Sequence, residues 1–538
     1  GAIVTANANR GKVNFVDGTT TSNVNDNYKN LNDKDTKTDY VSSKSNESAQ
    51  SGVLIGAKSS QKIRSWVVSG AASGYGSVVG SVNVLVFGSE TKAWIGKNAT
   101  VTSNHSGDIL VIAVDTTSIQ DVVGSAAVGG GISAGISNDT ITFNKVTNAF
   151  VDEGAKLTSG NNIIIKAISD EAYVVVVVSA SAAANATPTG AINGSVSTIV
   201  IDNKTTAEVK AANAETMLSA NGSIAIWSED NQNLCVVAGA ANIAISATAA
   251  GSAAAGVAVV KASNKVQALV GAKAILTAYG NGNGISFYTG ELNKQVTASS
   301  SVKVIAMDST EVDTTAGGAA VGIAGATGTI VVTHLKKTVE AILNGTVYAP
   351  GGVDVLAISD NNVFLLTTSL AGGLAGGAGS ASVLYTENTV TSQLGGTIET
   401  GKAAVNVKAI NRQYITSGAA SVSGGAVAVG GAGASIIFKS HTKAEVLNGT
   451  TITAGSLNVT AQSKETITGV VAAATGGGTA VGGSLILIIA NADTTARIGN
   501  SVTINLSGDL TVLAEDIATI NMTAGTVSGG EAALGGAA

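Results

Sequence analysis

Short runs of alternating hydrophobic and polar residues, interrupted by turn residues, fill most of this chain. In residues 447–462, Thr, Ile, Val and Leu alternate with polar residues, and Asn448-Gly449 and Ala454-Gly455 interrupt the alternation. Alternation with a period of two predicts half-buried β-strands, and Gly- or Asn-bearing pairs predict the turns between them. The pattern therefore predicts an all-β protein made of short strands.

The same pattern recurs about every fifty residues, and two markers define the repeat. The first is a segment related to T-x-A-x-[IVL]-x-G, whose last four copies start 51, 53 and 52 residues apart. Self-similarity at a fixed period indicates one structural unit stacked on copies of itself. The eight copies start at Thr91, Val146, Thr206, Lys265, Thr338, Thr389, Thr442 and Thr494.

The second marker is a short strand that ends in Ala and is followed by polar residues. The step from Trp227, which we align with the Ala position, to Ala306 is 79 residues, so this repeat carries an insertion, which we place near residues 283–300. The other copies of the marker are at Ala6, Ala57, Ala113, Ala167, Ala357, Ala409, Ala461 and Ala514.

A regular repeat of short strands predicts a parallel β-helix, or β-solenoid, in which each strand pairs with its equivalent one coil away. We expect two coils of roughly 26 residues per repeat, or three tighter ones. Two coils per repeat give about eighteen coils and an axis of about 90 Å at the inter-strand spacing of about 4.8 Å. Thr338, Thr389, Thr442 and Thr494 are then expected to stack in one column.

The repeats divide the chain into two parts. Residues 51–538 are predicted to form one continuous solenoid of about nine repeats, and residues 1–50 a partial first repeat. Within the latter, residues 16–50 are polar and are predicted to leave the solenoid, either as a solvated loop or as an excursion that contacts a ligand. Because the last repeat is incomplete at Ala538, we expect the chain to be a piece of a longer protein.

Each repeat also contains a run of Gly, Ala, Ser and Val without charge, such as residues 236–260. A run of this length could cross a bilayer as a helix. Gly and β-branched Val favour strands, and aromatic belts and a charge bias are missing, so we predict that this region does not span a membrane. The small residues either fill a narrow interior or form a face that another molecule covers, which would allow self-association into fibres.

Composition excludes several classes. Charged residues are 12% of the chain and aromatic residues 4%, and the net charge is −6. High hydrophobicity argues against disorder, and Gly without a period of three argues against collagen. A negative net charge without basic clusters argues against nucleic-acid binding. The single cysteine, Cys235, allows no intrachain disulfide and is interpreted as a small buried residue.

Candidate catalytic groups are few. Acidic residues recur just after the Ala marker, where we expect a solvated turn or, alternatively, a cation- or glycan-binding edge of stacked carboxylates. His105, His334 and His441 lack the spacing of metal ligands and are also assigned to turns. We therefore predict no catalytic, cofactor-binding or metal-binding residue. The acidic candidates are Asp170, Glu171, Glu229, Asp230, Asp308, Asp360, Glu515 and Asp516.

The T-x-A-x-[IVL]-x-G segments at Thr91 and Thr442, the [IV]-x-A-x-[SD] strand ends and the Gly/Ala runs resemble the passenger regions of giant bacterial surface proteins. These are the filamentous-haemagglutinin-like adhesins, and most closely the leukotoxin-type filamentous adhesins. The resemblance covers about residues 51–538. It implies a right-handed β-helix on the bacterial cell surface that serves as an extracellular stalk, adhesin or filament.

Two function classes remain open. The first is a structural or adhesive surface fibre, whose partners would be other copies of itself or a host or cell-surface glycan or protein. The second is a β-helical carbohydrate-active enzyme, a polysaccharide lyase or glycosidase. An enzyme should break the repeat with a groove of acids and aromatics, and in mid-chain only the insertion, with Phe287, Tyr288 and Glu291, does so.

Overall fold

A computed structural model gives the structure of the chain and describes residues 3–6, 52–104, 106–186, 188–246, 249–281, 285–288, 295–298 and 302–538. The described residues form strands and turns without any helix, so the predicted all-β class is confirmed. None of them belongs to a helix that could cross a membrane. The polar segment 16–50 and His105 lie outside the described residues.

The strands are much longer than the sequence pattern predicts, and most have 20 residues or more. In chain order they are β1 (Ile3–Ala6), β2 (Gly52–Ser73), β3 (Gly76–Ile95), β4 (Thr100–Ser103), β5 (Asp108–Gly129), β6 (Ile132–Val151), β7 (Lys156–Ser159), β8 (Ile163–Asn185), β9 (Thr189–Val209), β10 (Thr216–Ala220), β11 (Ile224–Ser246), β12 (Ala250–Ala278), β13 (Ile285–Tyr288), β14 (Gln295–Ala298), β15 (Val302–Val321), β16 (Ala324–Tyr348), β17 (Val353–Gly372), β18 (Ala375–Glu399), β19 (Ala404–Gly424), β20 (Val427–Val446), β21 (Thr451–Ala454), β22 (Ser456–Gly476), β23 (Thr479–Ile498), β24 (Thr503–Leu506), β25 (Leu510–Gly529) and β26 (Ala532–Ala537).

These strands form two parallel sheets that face each other. A 15-stranded sheet, called here the first sheet, contains β3, β6, β9, β12, β16, β18, β20, β23 and β26 together with the short strands. A nine-stranded sheet, the second sheet, runs in the order β2-β5-β8-β11-β15-β17-β19-β22-β25. Each coil passes along the second sheet, turns sharply, returns along the first sheet and crosses back. The coils are numbered from the first to the ninth in the order of their strands in the second sheet, from β2 to β25. The chain is therefore a parallel β-solenoid with a flat, two-layered coil.

The register shows one coil per repeat. Val353 pairs with Val405 and Val405 pairs with Leu457, which are steps of 52 residues. The expectation of two coils per repeat, and of about eighteen coils, is wrong because each strand continues through the polar residues at which we placed turns. Nine coils give an axis of about 40 Å, and a strand of 20 residues is about 65 Å long. The body is thus broader across its strands than it is long along its axis.

The predicted column of four threonines is two columns. Thr338 pairs with Thr389, and Thr442 pairs with Thr494, but Thr389 pairs with His441. Thr389 and Thr442 are 53 residues apart, whereas the paired strands advance by 52 residues, so Thr442 lies one position beyond the partner of Thr389. Since side chains alternate between the two faces of a strand, Thr442 points into the solenoid whereas Thr389 points outward.

The alanines of the second marker occupy one column in most coils. Ala57, Ala113 and Ala167 pair in sequence, and Ala306, Ala357, Ala409, Ala461 and Ala514 continue the column on the second sheet. Two assignments are wrong. Ser228, not Trp227, occupies the column in the fourth coil. Ala6 pairs with Ser103 and so belongs to the first sheet.

Two hydrophobic cores fill the space between the sheets. One lies beside the short strands and includes Ile109, Ile163 and Leu457, and the other lies towards the middle of the long strands and includes Phe143 and Tyr173. The sharp turn beyond the second core is glycine-rich, and Gly373, Gly425, Gly477 and Gly530 stack there. A Cβ on any of the last three would overlap the carbonyl oxygen of the glycine one coil earlier. The close stacking of these turns therefore requires glycine.

The insertion forms a hairpin, because β13 and β14 pair antiparallel in a sheet of their own. It does not simply project from the solenoid as a loop. Ile285, which is 5% exposed, packs in a cluster with Leu110, Ile112, Ile164 and Ala225. Leu110, Ile112 and Ile164 are on the outward face of the second sheet, so β13 lies against that face. Within 283–300, only the residues of β13 and β14 belong to the described part of the chain.

Candidate functional site: the buried polar spine

A band of polar side chains separates the two hydrophobic cores and runs through the stacked coils. We call it the polar spine. It consists of two inward columns of the second sheet and one inward column of the first sheet, and its side chains are at most 2% exposed. The columns are Asp115, Ser169, Asp230, Asp308, Ser359, Asn411 and Ser463; Thr117, Glu171, Gln232, Thr310, Asn361, Gln413 and Glu465; and Lys145, Asn203, Asn264, Lys337, Asn388 and Ser440.

Lys145 anchors the spine in the second coil. Its Nζ lies 2.8 Å from Asp115 Oδ1 and 3.3 Å from Glu171 Oε1, and all three side chains are sealed from solvent. Asp115 Oδ2 also accepts hydrogen bonds from Ser89 Oγ at 2.6 Å and Thr91 Oγ1 at 2.9 Å. The single ammonium group therefore joins carboxylates of two successive coils.

Amide side chains continue the network into the fourth and fifth coils. Asn203 Nδ2 donates to Glu171 and, at 3.0 Å, to Asp230 Oδ1. Asn264 Nδ2 donates to Asp230 Oδ2 at 2.8 Å. In the fifth coil Lys337 Nζ lies 3.2 Å from Asp308 Oδ1 and also contacts Thr310 Oγ1. Asn264 Nδ2 also lies 3.4 Å from Asp308 Oδ1, so the contacts link the two buried lysines through four coils.

In the sixth and seventh coils the spine contains only neutral side chains, and in the eighth coil it contains Glu465. Asn388 Nδ2 donates to Ser359 Oγ at 3.0 Å and to Asn411 Oδ1 at 2.6 Å. Asn411 Nδ2 donates in turn to Ser440 Oγ at 2.6 Å and Ser463 Oγ at 3.2 Å. Hydroxyl and amide groups here replace the ion pairs of the earlier coils while the backbone register is unchanged.

Burial shifts the proton affinities along the spine. Burial alone would lower the pKa of Lys145, but the adjacent Glu171 and Asp115 carboxylates outweigh it, and the net direction is upward. The pKa of Asp230 is raised well above its usual value by burial and by the negative charges of Glu171 and Asp308. Lys145 therefore stays charged, and Asp230 holds a proton more tightly than an ordinary aspartate.

A second acidic pair lies inside the first two coils, outside the spine. Asn83 Nδ2 donates to Asp121 Oδ2 and, at 3.1 Å, to Asp139 Oδ1, and both carboxyl groups are fully buried. Burial, together with the charge of Asp121, raises the pKa of Asp139 to about 7. Two carboxyl groups in such an enclosure favour sharing one proton over carrying two charges.

The structure corrects the placement of the acidic candidates in solvated turns. Glu171, Asp230 and Asp308 are inward members of the spine, at most 1% exposed. Asp170 and Glu229 are on the outward face of the same strands and are also buried. Asp360 is on β17, and Glu515 and Asp516 are on β25. The acids do recur at equivalent positions, but these positions are in the middle of long strands.

The histidines and the cysteine are likewise on strands. His334, on β16, packs edge-on against Tyr385 with ring centroids 4.8 Å apart. The Nδ1 atom of His441, on β20, lies 3.9 Å from Asp493 Oδ2. Their assignment to turns is wrong, and they belong to different columns, since His334 pairs with Tyr385 and His441 pairs with Thr389. Cys235 is half-buried on β11.

The sequence reasoning did not identify the residues that pair with the acids. These are Lys145, Asn203, Asn264 and Lys337 of the first sheet, which lie 29 to 34 residues further along the chain than Asp115, Glu171, Asp230 and Asp308, respectively. A signal was available, because each lies at an inward position of an alternating strand where apolar residues are otherwise the rule. Recognising that position required the pairing register.

The position of the spine makes a shift of strand register costly. Among the described residues, no group of three or more His, Cys, Asp or Glu side chains is placed to hold a metal ion. Gly- and Ala-rich strands specify their register weakly, and a slip of one residue would exchange inward and outward faces. Such a slip would expose the ion pairs and bury the outward face instead. The spine therefore adds to the hydrophobic cores a further penalty against a shifted register.

Comparison with known proteins identifies no relative. No protein-family model matches the sequence, and no curated protein or solved structure matches it significantly. The class of molecule that the structure itself defines is a parallel β-solenoid repeat protein with a buried polar spine.

Proposed function

We propose that this chain is a structural or adhesive part of an extracellular bacterial surface fibre or stalk, and that it works without catalysis. The observation that supports the proposal is the burial of the ionisable side chains that could otherwise take part in catalysis. The lysines and acids of the spine are paired inside the coils, where they are sealed from any polymer substrate.

The repetition supports the same conclusion. On the second sheet, equivalent residues pair in an unbroken register from the first coil to the ninth, so a property of that surface is repeated along the axis. Repeated weak contacts suit adhesion and assembly, because linked sites gain affinity through effective concentration. The resemblance of the repeat to filamentous adhesins agrees with this role, with a host or cell-surface glycan or protein, or another copy of the chain, as partner.

The proposal is tested by coating beads with the folded chain and measuring their adhesion to arrayed cell-surface glycans and proteins. Beads coated with heat-unfolded chain are the control. We expect adhesion or bead-to-bead assembly with the folded chain alone. The same preparation is incubated with acidic and neutral polysaccharides, and release of oligosaccharide products would overturn the proposal in favour of a lyase or glycosidase.

A further inference from the structure

We propose that two copies of this chain pack face to face through the outward surface of the first sheet. This inference rests on the assembling part of the proposed function and names its surface and its partner. The surface consists of the outward residues in the first ten positions of β3, β6, β9, β12, β16, β18, β20 and β23. We call it the glycine face.

The usual distribution of polar and apolar residues is inverted in this region. On β6, Ile132 and Ile136 point outward and are 61% and 56% exposed, whereas Ser133 and Ser137 point inward and are fully buried. The same inversion recurs in other coils. Further large aliphatic residues exposed on this face are Val78, Val82, Val84, Ile192, Ile330, Val427, Val429, Val481, Leu485 and Leu487.

The glycine face carries no charge. At the first five outward positions of the eight strands, the side chains are Gly, Ala, Val, Ile and Leu, with Ser, Thr or Asn at a few positions. Charges begin at the sixth position, with Lys261. An exposed apolar patch much larger than a few hundred Å² is unusual for a soluble monomer and marks an interaction surface.

The patch is large enough for a stable dimer. Eight strands about 4.8 Å apart and about 30 Å of each strand give an area of roughly 1,000 Å² per copy. A specific protein interface of standard size needs about 800 Å² from each partner. One glycine face against another would therefore satisfy this requirement without any other contact.

A column of glycines along the centre of the face has no explanation within a single chain. Gly328, Gly379, Gly431 and Gly483 follow one another in register, and Gly536 of β26 continues the column beside the face. Their backbones are not in the left-handed region. A Cβ would meet open space at four of them, and at Gly379 the nearest atom is 4.0 Å away. The fold would accept alanine at all five positions, and glycine weakens a strand by roughly 0.5–1 kcal/mol relative to alanine.

Glycine in a strand often marks a place where another backbone approaches closely. The column forms the floor of a shallow groove of about 800 Å³ that runs along the solenoid axis. The next outward column lines one side of the groove, with Ile330 and Leu485 at its two ends and Ala381 and Gly433 between them. Because both copies have the same spacing between strands, the side chains of Ile330 and Leu485 of one copy can enter the groove of the other.

A second copy explains these features better than a lipid surface does. Lipid chains adapt to any apolar surface and would not require a glycine column at strand spacing. A face that pairs with its own copy is isologous, so the assembly closes as a dimer.

Sedimentation equilibrium of the wild-type chain tests the proposal, with an expected mass of twice 52.6 kDa. The variants Gly431→Glu and Gly483→Glu place carboxylates in the groove, where a Cβ meets no atom of the same chain. Like charges facing each other across an interface cost several kcal/mol, so we expect dimer affinity to fall by at least about a hundredfold. Gly525→Glu is the matched control, since Gly525 is equally unobstructed but lies on the second sheet.

Unchanged far-UV circular dichroism establishes that each variant folds, and Ile330→Asn provides an independent change on the same face. A wild-type chain that remains monomeric at about 100 μM would overturn the proposal, as would equal loss of the dimer in Gly525→Glu. Binding of a monomeric wild type to neutral phosphatidylcholine vesicles, abolished by Gly431→Glu, would also overturn it and assign the face to lipid.

The two proposals fail in distinguishable ways. A monomeric chain that still adheres to arrayed ligands contradicts the dimer and leaves the adhesive function standing. A dimeric chain that cleaves a polysaccharide contradicts the proposed function and leaves the dimer standing.

Discussion

Lys337 Nζ lies 3.2 Å from Asp308 Oδ1 between the two sheets of the fifth coil, and both side chains are shielded from solvent. The residues are 29 positions apart, one on each sheet, so their contact ties the two layers of a coil together. A buried ion pair adds little net stability over apolar residues of the same size, but it is costly to leave half of it unpaired. Its contribution here is to specificity, because a shifted register would separate the two charges.

Lys337→Met should therefore destabilise the protein strongly, because it leaves the Asp308 carboxylate buried without its cation. We expect a loss of about 3–5 kcal/mol, measured as a shift of the guanidinium unfolding midpoint. Lys336→Met is the control, since Lys336 points outward and its pair with Glu387 is 3.8 Å long and solvent-exposed. Such exposed pairs contribute about 0–1 kcal/mol. If the two variants unfold alike, the spine does not hold the sheets in register.

Stability of the first two coils should fall as pH rises from 5 to 8. Burial, and then the charge of Asp121, raises the pKa of Asp139 from 3.8 to about 7. Between these values the folded chain binds a proton that the unfolded chain has lost, so this contribution is present at low pH and disappears as pH passes 7. Asp139→Asn should remove the dependence, because the asparagine oxygen can still accept the hydrogen bond from Asn83.

Hydrogen exchange of the amides in β2, β3, β5 and β6 measures this effect locally. Glu465→Gln is the matched control. The pKa of Glu465 is also raised to about 7, first by burial and then by Asp516, but this residue lies in the eighth coil. Protection in the first two coils that remains pH-dependent in Asp139→Asn would contradict a proton shared between Asp121 and Asp139.

Deleting residues 283–300 should leave the solenoid folded, because β11 pairs directly with β15 and β12 with β16 on either side of the insertion. The deletion should nevertheless uncover the apolar residues on which Ile285 packs. We expect increased binding of a hydrophobic fluorescent dye, and reduced binding again when Ile112→Thr and Ile164→Thr are added. A deletion that leaves dye binding unchanged would mean that the hairpin does not cover this surface.

Gly449→Ala should destabilise the turn between β20 and β21. Gly449 has a φ of 73°, and its Cβ would meet no other atom, so the cost is purely one of backbone conformation. We expect a loss of about 1–2 kcal/mol, and a smaller one for Gly449→Asn, which tolerates this region better. Gly476→Ala is the control, because Gly476 is equally open but has no positive φ. Equal thermal shifts in both variants would contradict this explanation.

Local patterns in the sequence determined the all-β class, the period and several individual turns of this protein. The turn at Asn448-Gly449 was predicted from two residues, and the alanine column from Ala306 to Ala514 was predicted from a strand-end pattern. Both are readable because turn conformation and the alternation of side chains depend on neighbours in the chain. The repeat length follows from the same local information copied along the chain.

The tertiary structure alone decided the number of coils per repeat and the direction in which each polar residue points. Glu171 and Asp230 look like solvated turn residues until Lys145, Asn203 and Asn264 of the opposite sheet come into contact with them. Alternation along a strand defines two faces but not which of them is covered, and an error of one residue exchanges them, as for Trp227 and Ser228. Partners distant in sequence determine that choice, because burying a charge is tolerated only where an opposite charge or a hydrogen-bonding amide meets it.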